Sequence, residues 1–130
     1  MGAVSEGIVT GTDFAVVNVS DFDRGCEFYG DVLGLPRSAT YGRMPGAEFE
    51  TGNLTLAVMQ LDAFGEHLKF APNPNPIALR VDDVDSARAQ LESKGVEFSG
   101  QIDSGVCIQA FFQDPDGNGL ILHHRYAPRT

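Results

Sequence analysis

The sequence predicts an α+β domain of two tandem βαβββ modules, whose strands form a curved mixed sheet around a concave ligand pocket. Three observations predict it: an internal repeat, a helical pattern at the same place in each copy, and three strand-like runs after each helix. The repeat pairs Val17-Asn18-Val19-Ser20-Asp21-Phe22-Asp23 with Leu79-Arg80-Val81-Asp82-Asp83-Val84-Asp85, 62 residues on. The helices end alike, at Leu33-Gly34-Leu35 and Lys94-Gly95-Val96, an offset of 61. A nearly constant offset is the mark of two copies of one supersecondary unit.

Residues 13–19 alternate with a period of two, so they read as the first strand. Ser20, Asp21 and Asp23 then supply oxygens for the free N–H groups and positive dipole end of a helix. Phe22, Cys26, Tyr29, Val32 and Leu33 recur at three- and four-residue steps, which makes one apolar stripe for core packing. Gly34 predicts a left-handed cap at its end. Strand-like runs follow near 37–42, 45–51 and 54–61. Pro72, Pro74 and Pro76 make the stretch from Asp62 to Pro76 a stiff, extended linker. The second copy repeats the logic with Val84, Ala87, Leu91 and Gly95, then runs near 97–102, 106–113 and 119–125. Asp114-Pro115-Asp116-Gly117-Asn118 is a turn: Pro fixes one dihedral, and Gly and Asn tolerate positive φ. The boundaries are module one at about 10–61, a linker at about 62–75 and module two at about 76–126 of a single 130-residue domain.

Hydrophobic residues at 42% and charged residues at 21% fit a globular chain. No apolar run approaches the ~20 residues that span a bilayer. Met1 to Glu6 lacks a basic stretch followed by an apolar core, so no secretory signal is expected and the expected location is cytoplasmic. There the two cysteines, Cys26 and Cys107, are expected as free thiols. Nine Lys+Arg against eighteen Asp+Glu, a net charge of −9, argue against a nucleic-acid partner, which needs a basic face. The acidity suits solubility and leaves room for a cationic ligand.

The segments Val19-Ser20-Asp21-Phe22-Asp23-Arg24, Phe28-Tyr29-Gly30-Asp31-Val32-Leu33-Gly34-Leu35, Ala78-Leu79-Arg80-Val81-Asp82-Asp83-Val84 and Phe111-Phe112-Gln113-Asp114-Pro115-Asp116-Gly117-Asn118 occur in this order. Together they resemble the glyoxalase, bleomycin-resistance and dioxygenase (vicinal oxygen chelate) superfamily over nearly the whole chain. The resemblance implies a divalent metal on the concave face and ligands at three positions, which here are Phe14, Pro76 and Ile121. None offers the imidazole, carboxylate or thiolate that a divalent cation requires. A further Glu used in glyoxalases falls near Leu54 to Ala57, again without a carboxylate. The expectation is no metal site and no cofactor, with a divalent metal on relocated ligands as the alternative.

Strand alternation gives the expected lining of the concave face. It comprises Phe14, Val16 and Asn18; Thr55, Ala57 and Met59, with Glu48 near the rim; Pro76, Ala78 and Arg80; and Ile121, His123 and Arg125. Across the 114–118 turn, Phe111 should face Ile121, Gln109 should face His123, and Cys107 should face Arg125. Phe14, Phe111 and Met59 suit packing on a flat ligand; Asn18, Arg80, Gln109 and His123 suit orienting it. The bland alternative is that these side chains simply fill the concavity.

His123 and His124 point to opposite faces and cannot chelate together; His124 is expected in the core or at the surface, and His67 in solvent. His123 has a pKa suited to acid–base work, but a structural hydrogen bond to Gln109 is the stronger expectation. A Cys107 nucleophile with His123 as base is weighed against Cys107 as a small hydrophobe, and the latter is favoured.

The resulting expectation is a metal-independent binder of a small hydrophobic or cationic organic molecule, such as an antibiotic or natural product. The alternative is a lyase, isomerase or dioxygenase with relocated ligands drawn from Glu48, Glu50, His123 and Cys107. A surface-acting module with an occluded pocket is the third reading. A homodimer is expected in each case.

Overall fold

The computed structural model describes residues 7–128; the hexapeptide Met1–Glu6, considered above for a secretory signal, lies outside them. Strand β1 (Ala15–Asn18) leads into helix α1 (Phe22–Cys26), which continues as a π-helical stretch, Glu27–Val32. Strands β2 (Arg37–Thr40), β3 (Gly46–Glu50) and β4 (Thr55–Met59) complete module one. Module two repeats the order with β5 (Ile77–Arg80), α2 (Val84–Ser93), β6 (Phe98–Asp103), β7 (Cys107–Gln113) and β8 (Gly119–Arg125).

Each module forms its own four-stranded sheet, ordered β1-β4-β3-β2 and β5-β8-β7-β6. In both, the first and last strands run parallel and the others antiparallel. The expected single curved sheet is thus two hydrogen-bonded sheets of identical topology. Their helix-facing sides share one core, with Val17, Val19, Phe49, Leu56 and Val58 from module one and Ala110, Phe112, Leu120 and Leu122 from module two.

Local chemistry explains the helix ends. Asp21 and Asp83 cap α1 and α2, each side-chain oxygen accepting an amide hydrogen bond from three residues on, both at 3.0 Å. Gly34 and Gly95 end the helical segments at φ +76° and +92°, where a β-carbon would be strained. Gly25 is a close approach: a β-carbon there would sit 3.0–3.1 Å from Val19 and Val58 side chains. The π-helical stretch was not foreseen. It carries Phe28 and Tyr29, adjacent and both buried, although a regular helix turns neighbours about 100° apart.

Ser20 does not join Asp21 at the helix start as expected. Its backbone N–H and its hydroxyl both bond to Asp116 of the last hairpin. Arg24 reaches the same carboxylate at 2.6 Å, and the Asn118 amide donates to the Asn18 carbonyl at 2.8 Å. The 114–118 turn thereby clamps module two onto the β1–α1 junction. Within that turn only Gly117 takes a positive φ (+89°); Asn118 does not.

The linker differs from a uniformly extended strap. It opens with a 3-10 turn at Leu61–Ala63 and a hydrogen-bonded turn from Gly65 to Leu68. Only the later, proline-rich part runs without regular structure. His67 is exposed, as expected. No helix among the described residues is long and apolar enough to cross a membrane.

Candidate functional site

The side chains expected to line a concavity lie on the sheet faces turned away from the helices. In module one, Val16 pairs with Ala57 and Ala57 with Glu48; Asn18 pairs with Met59 and Met59 with Gly46. In module two the rows are Ala78–Ile121–Phe111 and Arg80–His123–Gln109, with Cys107 opposite Arg125. All three cross-hairpin pairs read from the sequence occur in that register.

Exposure differs along these rows. Phe14 and Val16 are 46% and 43% exposed, and Pro76, Ala78 and Arg80 are exposed as well, so the outer strands of the two open faces are accessible in a single copy. Ala57, Cys107 and Ile121 are buried, and Thr55, Met59, Gln109, Phe111 and His123 are half-buried. A cavity of about 600 Å³ exists, but on the helix side of the sheets, where none of the expected lining residues except the β5 pair Ala78 and Arg80 borders it.

Several polar groups are already engaged. Glu48 is on the middle of the face, opposite Ala57, rather than at a rim, and its carboxylate accepts the Tyr41 hydroxyl. Tyr41 was not among the residues singled out in the sequence. Its ring lies against Gly46, where a β-carbon would come within 2.3 Å of it. Burial, reinforced by the hydrogen bond and charge of Glu48, pushes its pKa up to about 12. Glu50 is held below the usual carboxylate range by hydrogen bonds from Ser38 and then Thr55. The Asn18 side-chain oxygen accepts the Leu61 N–H at 3.3 Å, so it braces the linker.

The histidine and cysteine expectations are corrected in detail. The Gln109 amide turns not to His123 but to Cys107 Sγ, 3.6 Å away. Cys107 also lies 3.2 Å from the Ser104 hydroxyl. These contacts describe a packed thiol rather than a thiol–imidazole pair. His124 is half-buried with Nδ1 3.2 Å from the Val81 carbonyl, a structural role. Cys26 and Cys107 are free thiols, and burial raises the Cys26 pKa.

Charge is divided between the open faces. Module one presents Glu48 and Glu50, module two Arg80 and Arg125. Arg125 Nε is buried without an acceptor among the described residues. The three positions that the family resemblance implies for metal ligands carry Phe14, Pro76 and Ile121, whose side chains have no donor atoms. No group of three His, Cys, Asp or Glu side chains among the described residues converges in a way that would hold a cation. The donor chemistry does not fit a metal.

The comparisons agree with this architecture. The family model described as Glyoxalase/Bleomycin resistance protein/Dioxygenase superfamily matches residues 11–122. The chain is 30% identical over 123 residues to Uncharacterized protein YraH of Bacillus subtilis (strain 168), covering 81% of this chain and 91% of the relative. It is 26% identical over 123 residues to the Probable lactoylglutathione lyase of Synechocystis sp., covering 82% and 89%. Its fold matches the crystal structure of TnmS3, an antibiotic binding protein from Streptomyces sp. CB03234, with a TM-score of 0.78, 24% identity and coverage of 92% and 99%. Two βαβββ modules with β1–β4 and β5–β8 parallel, matched by the family model along most of the chain, place this protein in the glyoxalase/bleomycin-resistance/dioxygenase superfamily.

Proposed function

We propose that this protein binds a small organic molecule without a metal, as a sequestering protein for an antibiotic or other natural product. The observation that carries the proposal is that Phe14, Pro76 and Ile121, which have no side-chain donors, stand at the three positions the resemblance implies for metal ligands. Phe14, Val16, Phe111 and Met59 offer aromatic and aliphatic packing, while the row Arg80–His123–Gln109 offers polar groups to orient a ligand. The name of TnmS3, an antibiotic binding protein, supports the reading.

The same observations support a homodimer. Phe14, Val16 and Ala78 are exposed, and the acidic open face of module one complements the basic face of module two. A second copy that sets one face against the other would cover the apolar rows and enclose a ligand between opposite charges. A thermal-shift screen of hydrophobic and cationic natural products in EDTA tests the proposal. Stabilisation by at least one class supports it; no shift at high ligand excess sinks it.

The lactoylglutathione lyase name of one relative favours a second reading, an enzyme with relocated ligands among Glu48, Glu50, His123 and Cys107. One metal ion per chain in protein purified without added metal would bring that reading forward.

A further inference from the structure

We infer that the 600 Å³ cavity on the helix side is a second ligand site, which takes a small apolar acid: an aliphatic or aromatic body carrying one anionic group. The argument starts from the repeat. Shifting module one by 62 residues places Val16, Val17, Asn18 and Tyr29 on Ala78, Leu79, Arg80 and Leu91. The first set lines a hollow of about 20 Å³, and the second lines the cavity of about 600 Å³. These are pseudo-symmetric copies of one inter-module hollow, closed on one side and open on the other.

What closes the small copy is visible. Tyr29 is fully buried and hydrogen-bonded to Asp114, while Asn73 and Asn75 of the linker lie against the same space. Asn73 is tied there by bonds with Asn118 and Gly119. The large copy has Leu91 where the tyrosine would stand, and the 51–54 turn where the 114–118 turn would clamp. Leu33, Leu54, Ile77 and Leu79, which border it, remain only partly buried. A volume of this size falls within the roughly 300–1,000 Å³ of small-molecule pockets.

Charge selects the ligand. The chain carries twice as many acidic as basic side chains, nine Lys+Arg against eighteen Asp+Glu. Yet no acid borders the cavity, and of its two ionisable neighbours Arg80 belongs to the open-face row, which leaves Lys94 as the cation at its edge. The Lys94 ammonium is anchored at the edge by the Asp31 and Val32 carbonyls at 3.3 and 3.2 Å. Those bonds leave one of its three N–H groups to meet an anion. In the first copy the residue before the helix-ending glycine, the position matching Lys94, is Leu33, so the cation belongs to the second copy alone.

Decanoate and decanol, titrated into isotope-labelled protein and followed by amide chemical shifts, test the inference. Decanoate should saturate at one per chain and move Leu54, Leu79 and Leu91 rather than Val16, Ala57 and His123. Leu91→Tyr, which restores the residue of the closed copy, should weaken decanoate at least about tenfold by filling the space. Should that variant fold poorly, Leu54→Phe reads out the same loss. Lys94→Gln should weaken decanoate about threefold and leave decanol unchanged. The inference is overturned by shifts confined to the open faces, which would instead support the proposed function. It is overturned equally by affinity that Leu91→Tyr and Leu54→Phe leave intact. A dimer that Leu91→Tyr converts to monomer would also overturn it, because the cavity would then seat a second copy.

Discussion

The Tyr29 hydroxyl donates a 2.8 Å hydrogen bond to the Asp114 carboxylate, joining the first helical segment to the last hairpin across 85 residues of chain. Both residues are buried, and Asp114 also accepts the Asp116 and Asn118 backbone amides and the Asn118 side chain. This one carboxylate shapes the turn and fastens the two modules together. Tyr29→Phe should therefore cost about 1.5–3 kcal/mol, the range for losing a hydrogen bond to a charged partner. Urea unfolding followed by circular dichroism measures it.

The same tyrosine sets an alkaline limit. Burial and then the charge of Asp114 raise the Tyr29 pKa well above its ordinary value, and Tyr41 is pushed up to about 12. A pKa raised by folding means that the folded chain holds the proton after the unfolded chain has released it. The stabilisation is complete below about pH 10, where unfolded tyrosine is neutral, and is lost as pH rises towards the folded values. Urea midpoints measured from pH 8 to 12 should hold steady and then fall above about 10. The fall should be shallower in Tyr29→Phe.

Half-exposed Arg24 at the same interface, and the cap of α2 away from it, should matter less. Arg24 is half exposed where it meets Asp116, so Arg24→Ala should cost under about 1 kcal/mol, and less at high salt. Asp83→Ala removes a helix cap and should cost about 1 kcal/mol with little dependence on salt. Denaturation at two ionic strengths separates them.

Much of the architecture was legible because it depends on local chemistry. The period-two strands, the aspartate caps, Gly34 and Gly95, and the repeat itself all announce their structure in short stretches of residues. The pairings of Phe111 with Ile121 and Gln109 with His123 followed from one turn and strict alternation. What was not legible depends on long-range packing. Ser20 was read as a helix-start residue because its neighbours are, yet its partner is Asp116, 96 positions away. Gln109 was expected to turn towards His123 across the strand pair, but Cys107 two residues back on its own strand is its partner. Tyr41 was passed over because nothing local shows that its ring will fold back over Gly46 to reach Glu48. The large cavity could not be read at all: it arises from a difference between two copies that look alike, with leucine at 91 where the first copy has tyrosine at 29.

The dimer proposal makes its own prediction. Val16→Lys places a cation on an exposed apolar position of the open face, across Ala57 from Glu48, where the basic face of a second copy would repel it. Sedimentation should show a dimer for the wild type and a monomer for the variant at micromolar concentration, with little change in unfolding of the single chain. A wild-type monomer would remove the second copy from the account.

Binding that needs no metal is the centre of the account, and one titration tests it most directly. The best natural-product hit would be titrated calorimetrically into protein stripped with EDTA, and again after exposure to nickel or zinc. The account predicts equal affinity and stoichiometry in both, because Phe14, Pro76 and Ile121 offer a metal nothing to bind. Heat of binding that appears only in the metal-loaded protein would contradict it and return the chain to the family's metal-dependent chemistry.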